Sequence, residues 1–176
     1  MKINNIDTDK KVFIIAEIGN NHEGDFELAK EMISLAAEAG ADAVKFQTFN
    51  TENYVSKSDT KRFEMLKSFE LNGHQFKKLK NYANEKHVSF ISTPFDIKSA
   101  KFLEQIVDAI KISSSDNNFF PLLKTVFSFD KPVIISTGLS NNKEIEDALN
   151  YILSKYENIN FKNKLALLHC VAAYPV

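Results

Sequence analysis

Residues 42–48 read DAVKFQT. Ala43, Val44 and Phe46 are apolar on both faces of an extended segment, while Lys45 and Gln47, two apart, share one face because side chains alternate along a strand. A strand apolar on both sides belongs in a parallel sheet covered above and below. Five further runs of strand length have the same character, at 12–17, 88–93, 109–113, 132–137 and 165–170. Apolar residues between them fall at helical spacing. Asp25, after Gly24, is read as the cap of a helix with Leu28, Met32, Leu35 and Ala39 on one face and Gly40 as its stop. Asn141 or Asn142 opens another, with Ile145, Leu149, Ile152 and Tyr156 on its buried stripe. Segments 75–86, 97–106 and 119–129 take the same role. Alternation of this kind builds right-handed βαβ units and a parallel sheet. Six units leave two architectures: an open doubly wound sheet, or six units of a (β/α)8 barrel, which usually takes about 250 residues. If it is a barrel, the chain stops two units early.

The remaining arithmetic narrows the class. A chain of 176 residues, 44% hydrophobic and 26% charged, has ordinary globular composition and enough length for one full core. Twenty-two basic against 23 acidic residues give a net charge of −1, so no long-range field favours a nucleic-acid backbone or an anionic membrane. The single Cys170 makes no internal disulfide, the N-terminus MKINNIDTDK has no signal-peptide core, and no window approaches the roughly 20 apolar residues of a spanning helix. The chain therefore reads as a soluble, cytoplasmic protein with no second domain. One long connection, 49–74, carries Phe63, Leu66 and Phe69 in a charged amphipathic patch and is expected to act as a lid or binding loop.

In both parallel architectures ligands bind beyond the carboxyl ends of the strands. Those ends are polar here. The first strand ends at Glu17; the second carries Lys45 and Gln47; the third ends in Ser92, Thr93 and Pro94; the fourth runs through Lys111 into Ser113, Ser114, Ser115 and Asp116; the fifth ends in Ser136, Thr137 and Gly138; the sixth ends in His169 and Cys170. A lysine inside a buried sheet is costly without a compensating anion. Two of them beside hydroxyls point to a phosphate or carboxylate site. Each residue also has a plainer reading. Glu17 can pair with Lys45, the lysines can be internal ion pairs, 113–115 can be a solvated loop, Cys170 can be inert and buried, and His169 can be a hydrogen-bonded rim residue. The sequence has neither G-x-G-x-x-G nor G-x-x-x-x-G-K-[ST], and no cluster with metal-ligand spacing.

Six segments in order, IIAEIGNNHEGD, AGADAVKFQT, FISTPFD, KISSSDNNFFP, KPVIISTG and LLHCVAAYP, resemble the N-acetylneuraminate (sialic acid) synthase family, which also includes the legionaminate, pseudaminate and spore-coat-polysaccharide synthases. The resemblance runs from about Val12 to Pro175. It implies a TIM-type (β/α)8 barrel that condenses phosphoenolpyruvate with the open-chain aldehyde of an N-acylated amino sugar, of the N-acetylmannosamine type, giving a sialic-like acid and phosphate. It implies Glu17 as the carboxylate near the reacting carbons and Lys45, Gln47, Thr93, Lys111, Ser114 and Ser136 as the phosphoenolpyruvate pocket. Asp116 matches an acidic position, and Tyr174 a tyrosine near the acceptor sugar. Ala172 stands where relatives carry Asn or Ser, and Ser113 where the commoner motif has Gly. The family uses Mn²⁺ or Mg²⁺, held by histidines that follow strands seven and eight, and an antifreeze-like domain completes the partner's site across a homodimer. The resemblance makes this chain the N-terminal barrel portion, 1–176, with strands seven and eight and the antifreeze-like domain absent, no metal ligand assignable, and little turnover on its own. Two other readings remain at this stage: a Schiff-base pyruvate aldolase using Lys45 or Lys111, and an inactive fragment serving as an interaction module.

Overall fold

The structure is a computed structural model that describes residues 1–156 and 160–173. Its sheet has six parallel strands: β3 (Ile15–Gly19), β4 (Ala43–Thr48), β5 (Ser89–Pro94), β6 (Ala109–Ile112), β7 (Val133–Ser136) and β8 (Leu165–Leu168). Their spatial order is their sequence order. A doubly wound sheet reverses direction at a switch point, whereas a barrel adds each strand beside the last. The order therefore decides the question left open by the pattern: this is an arc of a TIM-type barrel. Helices α1 (Phe26–Glu38), α4 (Gly73–Glu85), α5 (Ile97–Leu103), α6 (Phe120–Phe127) and α7 (Asn142–Lys155) cover its outer face. A short α8 (Phe161–Lys164) leads into β8.

The two-residue strand period sorts the core into layers. Val44, Phe46, Phe90, Ile110, Ile112, Val133 and Ile135 face the helices. The alternate residues Ala43, Ile91, Ala109 and Ile134, with Ile15 and Ala166 at the edges, form a second cluster on the inside of the curl. Two positions further along, the same inward-facing rows reach Glu17, Lys45, Thr93, Lys111, Ser136 and Leu168. The layer above the apolar plug is therefore the polar layer.

Several expectations need correction. The first strand begins at Ile15 rather than Val12, which is 80% exposed, and continues past Glu17 to Gly19 across a register shift. Glu17 pairs with Lys45 in mid-strand instead of standing at the tip. In α1 the buried residues are Ala29 and Ile33, while Leu28 and Leu35 are exposed. Asp25 caps it through the amides of Glu27 and Leu28 as expected, and Gly40 follows it in left-handed geometry (φ +85°). Asn141 caps α7 in a reciprocal capping box with Glu144. The 49–74 connection is helical: α2 (Thr51–Tyr54) and α3 (Thr60–Phe69) enclose a small core of Phe49, Val55 and Leu66. The first residues form an unforeseen hairpin, β1 (Lys2–Ile3) with β2 (Ile6–Asp7), whose Met1 and Ile3 pack into the inner apolar cluster.

Candidate active site

At the carboxyl ends of the strands a cavity of about 470 Å³ is lined by Ile15, Glu17, Lys45, Gln47, Thr93, Phe95, Lys111, Ser113, Ser114, Ser136 and Cys170, with Leu168, Val171 and Ala172 on the β8 side. Of the residues expected there, Glu17, Lys45, Gln47, Thr93, Lys111, Ser114 and Ser136 all reach it. Asp116 does not line it. Its Oδ2 accepts a hydrogen bond from Ser115 Oγ at 3.0 Å. Tyr174 lies outside the described residues.

Two ammonium groups dominate the site. Lys45 Nζ lies 2.7 Å from Glu17 Oε2 and donates to Thr93 Oγ1 at 3.0 Å. Lys111 Nζ donates to Ser136 Oγ at 2.5 Å and to the Ile112 carbonyl at 2.9 Å. An ammonium has three protons, and among the described residues each lysine uses two of them, leaving one to donate. Because an ammonium cannot accept, Thr93 and Ser136 must receive those bonds, and their own hydroxyl protons are available elsewhere. Ser114 Oγ likewise accepts from the Gly138 amide at 3.1 Å. The walls therefore present N–H and O–H donors, as an oxyanion requires.

Electrostatics agree with that polarity. Burial, reinforced by the nearby Lys45 charge, pushes the Lys111 ammonium down to about 8. An anion would relieve both effects. Affinity for a phosphate-bearing anion is therefore expected to be highest below pH 8 and to fall about tenfold as the pH rises through that value, because a charge-assisted bond weakens to a neutral one. Titrations with inorganic phosphate from pH 6.5 to 9.5 check this; a flat profile would contradict it. Burial also raises the Asp116 carboxyl.

Two residues carry more than the sequence reading gave them. Cys170 is half-buried and lines the cavity, its Sγ 3.4 Å from Ser136 Oγ and 3.3 Å from the Leu168 carbonyl, so it is not sealed in the core. Asn117, 6% exposed, braces the end of β7. Its place directly after the strand-end motif was the available signal. His22 is buried against Phe46 and accepts the Gly24 amide on Nδ1, and burial lowers its imidazole from the ordinary value. His169 is exposed. Among the described residues no three His, Cys, Asp or Glu side chains converge to hold a metal ion, so these side chains do not by themselves fit one. No helix among them is long and apolar enough to cross a membrane.

An arc of sequentially ordered parallel strands with a donor-lined cavity at their carboxyl ends defines the class as β/α-barrel proteins. The NeuB family model matches residues 32–176, and the chain belongs to that family. It is 44% identical over 164 residues to an uncharacterized protein of Methanocaldococcus jannaschii, covering 93% of this chain and 47% of the relative. It is 37% identical over 180 residues to the N,N'-diacetyllegionaminic acid synthase of Campylobacter jejuni, covering 94% and 53%. Among solved structures it superposes on the N-acetylneuraminic acid (sialic acid) synthetase of Leptospira borgpetersenii, solved in complex with citrate, with a TM-score of 0.90 and 36% identity, over 100% of this chain and 60% of the other. The chain thus spans about half the length of the curated relatives it matches.

Proposed function

We propose that the complete protein condenses phosphoenolpyruvate with the open-chain aldehyde of an N-acylated amino sugar, giving a nonulosonic acid and phosphate, and that this chain is the N-terminal part of its barrel. The observation that carries the reading is the convergence of Lys45 and Lys111, each with one uncommitted N–H, on one cavity with the Thr93, Ser114 and Ser136 hydroxyls. These groups are suited to hold the phosphate and carboxylate of phosphoenolpyruvate, with Gln47 beside them. C3 of the enol then attacks the aldehyde carbon, C2 becomes cationic, water adds there, and the tetrahedral intermediate expels phosphate. Glu17, half-exposed across the cavity and already paired with Lys45, is the carboxylate that stabilises the cationic carbon or orients the water. Asp116 and Tyr174 complete the proposed substrate-binding set, Tyr174 by its match to a tyrosine near the acceptor sugar. A divalent metal, Mn²⁺ or Mg²⁺, belongs to the complete protein, with ligands from outside this chain. The complete protein acts as a homodimer in the cytoplasm.

Phosphate release from phosphoenolpyruvate and N-acetylmannosamine in the presence of Mn²⁺ tests the proposal on the complete protein. Turnover is expected there and little or none from the 176-residue chain. Silence with every nonulosonate acceptor sugar tried would overturn it.

The lowered Lys111 ammonium favours one rival, a Schiff-base aldolase, since a less protonated amine is a better nucleophile. Lys111 Nζ is, however, committed to Ser136 and Ile112, and Lys45 to Glu17 and Thr93. Borohydride treatment in the presence of pyruvate is expected to add no mass to the chain. A stable adduct on either lysine would favour the aldolase.

A further inference from the structure

The polar layer needs its hydroxyls held at the correct height, and the loops that follow β6 and β7 are cross-braced on both sides of Ser136. On one side, the Gly138 amide donates to Ser114 Oγ at 3.1 Å. On the other, Asn117 Nδ2 donates to the Ser136 carbonyl at 3.2 Å and to Ser140 Oγ at 2.7 Å. Asn117 is 6% exposed and does not line the cavity, so its amide is buried to serve those two acceptors rather than a ligand. A buried amide without such partners is costly, so its presence fixes the geometry around it. The carbonyl it holds belongs to the residue whose hydroxyl receives Lys111 Nζ at 2.5 Å.

We infer that Asn117 is a positioning residue for the anion pocket: by tying the β6 loop to the end of β7, it sets the Ser136 hydroxyl against Lys111 and so prepares both for the anion. This rests on the reading of the cavity as a phosphoenolpyruvate pocket. Losing the amide lets the end of β7 relax and breaks the alignment of Ser136 with Lys111. Small displacements of this size cost binding steeply where donors must be preorganised. Because Asn117 acts through Ser136, its loss cannot add to the loss of the Ser136 hydroxyl.

A double-substitution cycle on this chain tests the inference, with phosphoenolpyruvate binding measured by calorimetry and folding by circular dichroism. Asn117→Ala is expected to weaken binding about tenfold, and Ser136→Ala by a similar factor, while the double variant is no weaker than Ser136→Ala alone. Where the alanine variant fails to fold, Asn117→Ser carries the same cycle, since its short hydroxyl cannot span both acceptors. Unchanged binding in the Asn117 variant would overturn the inference. So would losses that add in the double variant, because they would mark Asn117 as a general brace. If the unsubstituted chain binds neither phosphoenolpyruvate nor inorganic phosphate, the pocket reading itself fails. If it binds and Ser136→Ala weakens it while Asn117→Ala does not, only the positioning role fails.

Discussion

Lys111→Met is expected to weaken phosphate and phosphoenolpyruvate binding at least a hundredfold while leaving the stability of the fold at pH 7 within about 3 kcal/mol of its parent's. The two effects share a cause. Lys111 is buried beside another ammonium, and its charge is unfavourable enough to lower it to about 8 from an unperturbed 10.5. The unfolded chain thus binds this proton more tightly than the folded one. Charged Lys111 costs the fold roughly 3 kcal/mol below pH 8, and the cost is relieved as the pH rises from about 8 towards 10.5. Methionine removes that cost at similar length, against the loss of hydrogen bonds to Ser136 and Ile112 worth about 1–3 kcal/mol each. Binding has no such offset, because the anion loses its deepest cation. Calorimetric titration and thermal melts of the same sample measure both. A variant that binds normally, or one that unfolds while its lysine parent does not, would contradict the account.

Gly24→Ala is expected to be the most damaging conservative change in the chain. Gly24 sits at φ +86°, and a Cβ there would lie 2.2 Å from the Ser68 carbonyl oxygen of α3. Backbone cannot yield as a side-chain tip does. The β3–α1 loop would have to part from α3, whose residues help enclose the small core of Phe49, Val55 and Leu66. The combined left-handed strain and overpacking come to about 4 kcal/mol, or roughly a 10 °C fall in melting temperature for a chain of this size. Gly40→Ala is the internal control. Its φ is +85°, but nothing lies within 4 Å of the added carbon, so only the strain of about 1 kcal/mol remains. Equal melting temperatures for the two variants would contradict the packing argument.

The strands were legible because β4 to β7 bury both faces and the edge strands β3 and β8 keep the same apolar character, and the polar strand ends were legible because parallel sheets place ligands there. Their inward direction followed from the two-residue period at Lys45 and Gln47. Sequence pattern alone left the open sheet and the barrel equally available, since both use βαβ units; only the spatial order of the strands separates them. The buried face of α1 was misread because Leu28 and Leu35 outweigh Ala29 and Ile33 in hydrophobicity, yet small Ala29 is what permits close packing on the sheet. The β1–β2 hairpin escaped because its strands are two residues long, too short for any periodicity. Residue type and position pointed to Lys45 and Lys111 among many polar strand ends, and the resemblance singled out Glu17, Gln47, Thr93, Ser114 and Ser136 beside them; all seven line the cavity, whereas Asp116, in the loop that follows Ser114, does not. Asn117 stood directly after the strand-end motif, but that place does not show its role, since bracing is a property of two loops that meet only in three dimensions.

The account depends on the strand ends sharing one anion-holding cavity. A crystal structure of the chain with phosphoenolpyruvate tests this most directly. The phosphoryl and carboxylate groups are predicted to lie within hydrogen-bond distance of Lys45 Nζ, Lys111 Nζ and the Ser136 hydroxyl, with Glu17 facing the enol carbons. Phosphoenolpyruvate bound elsewhere, or the two lysines turned out of the cavity, would contradict it.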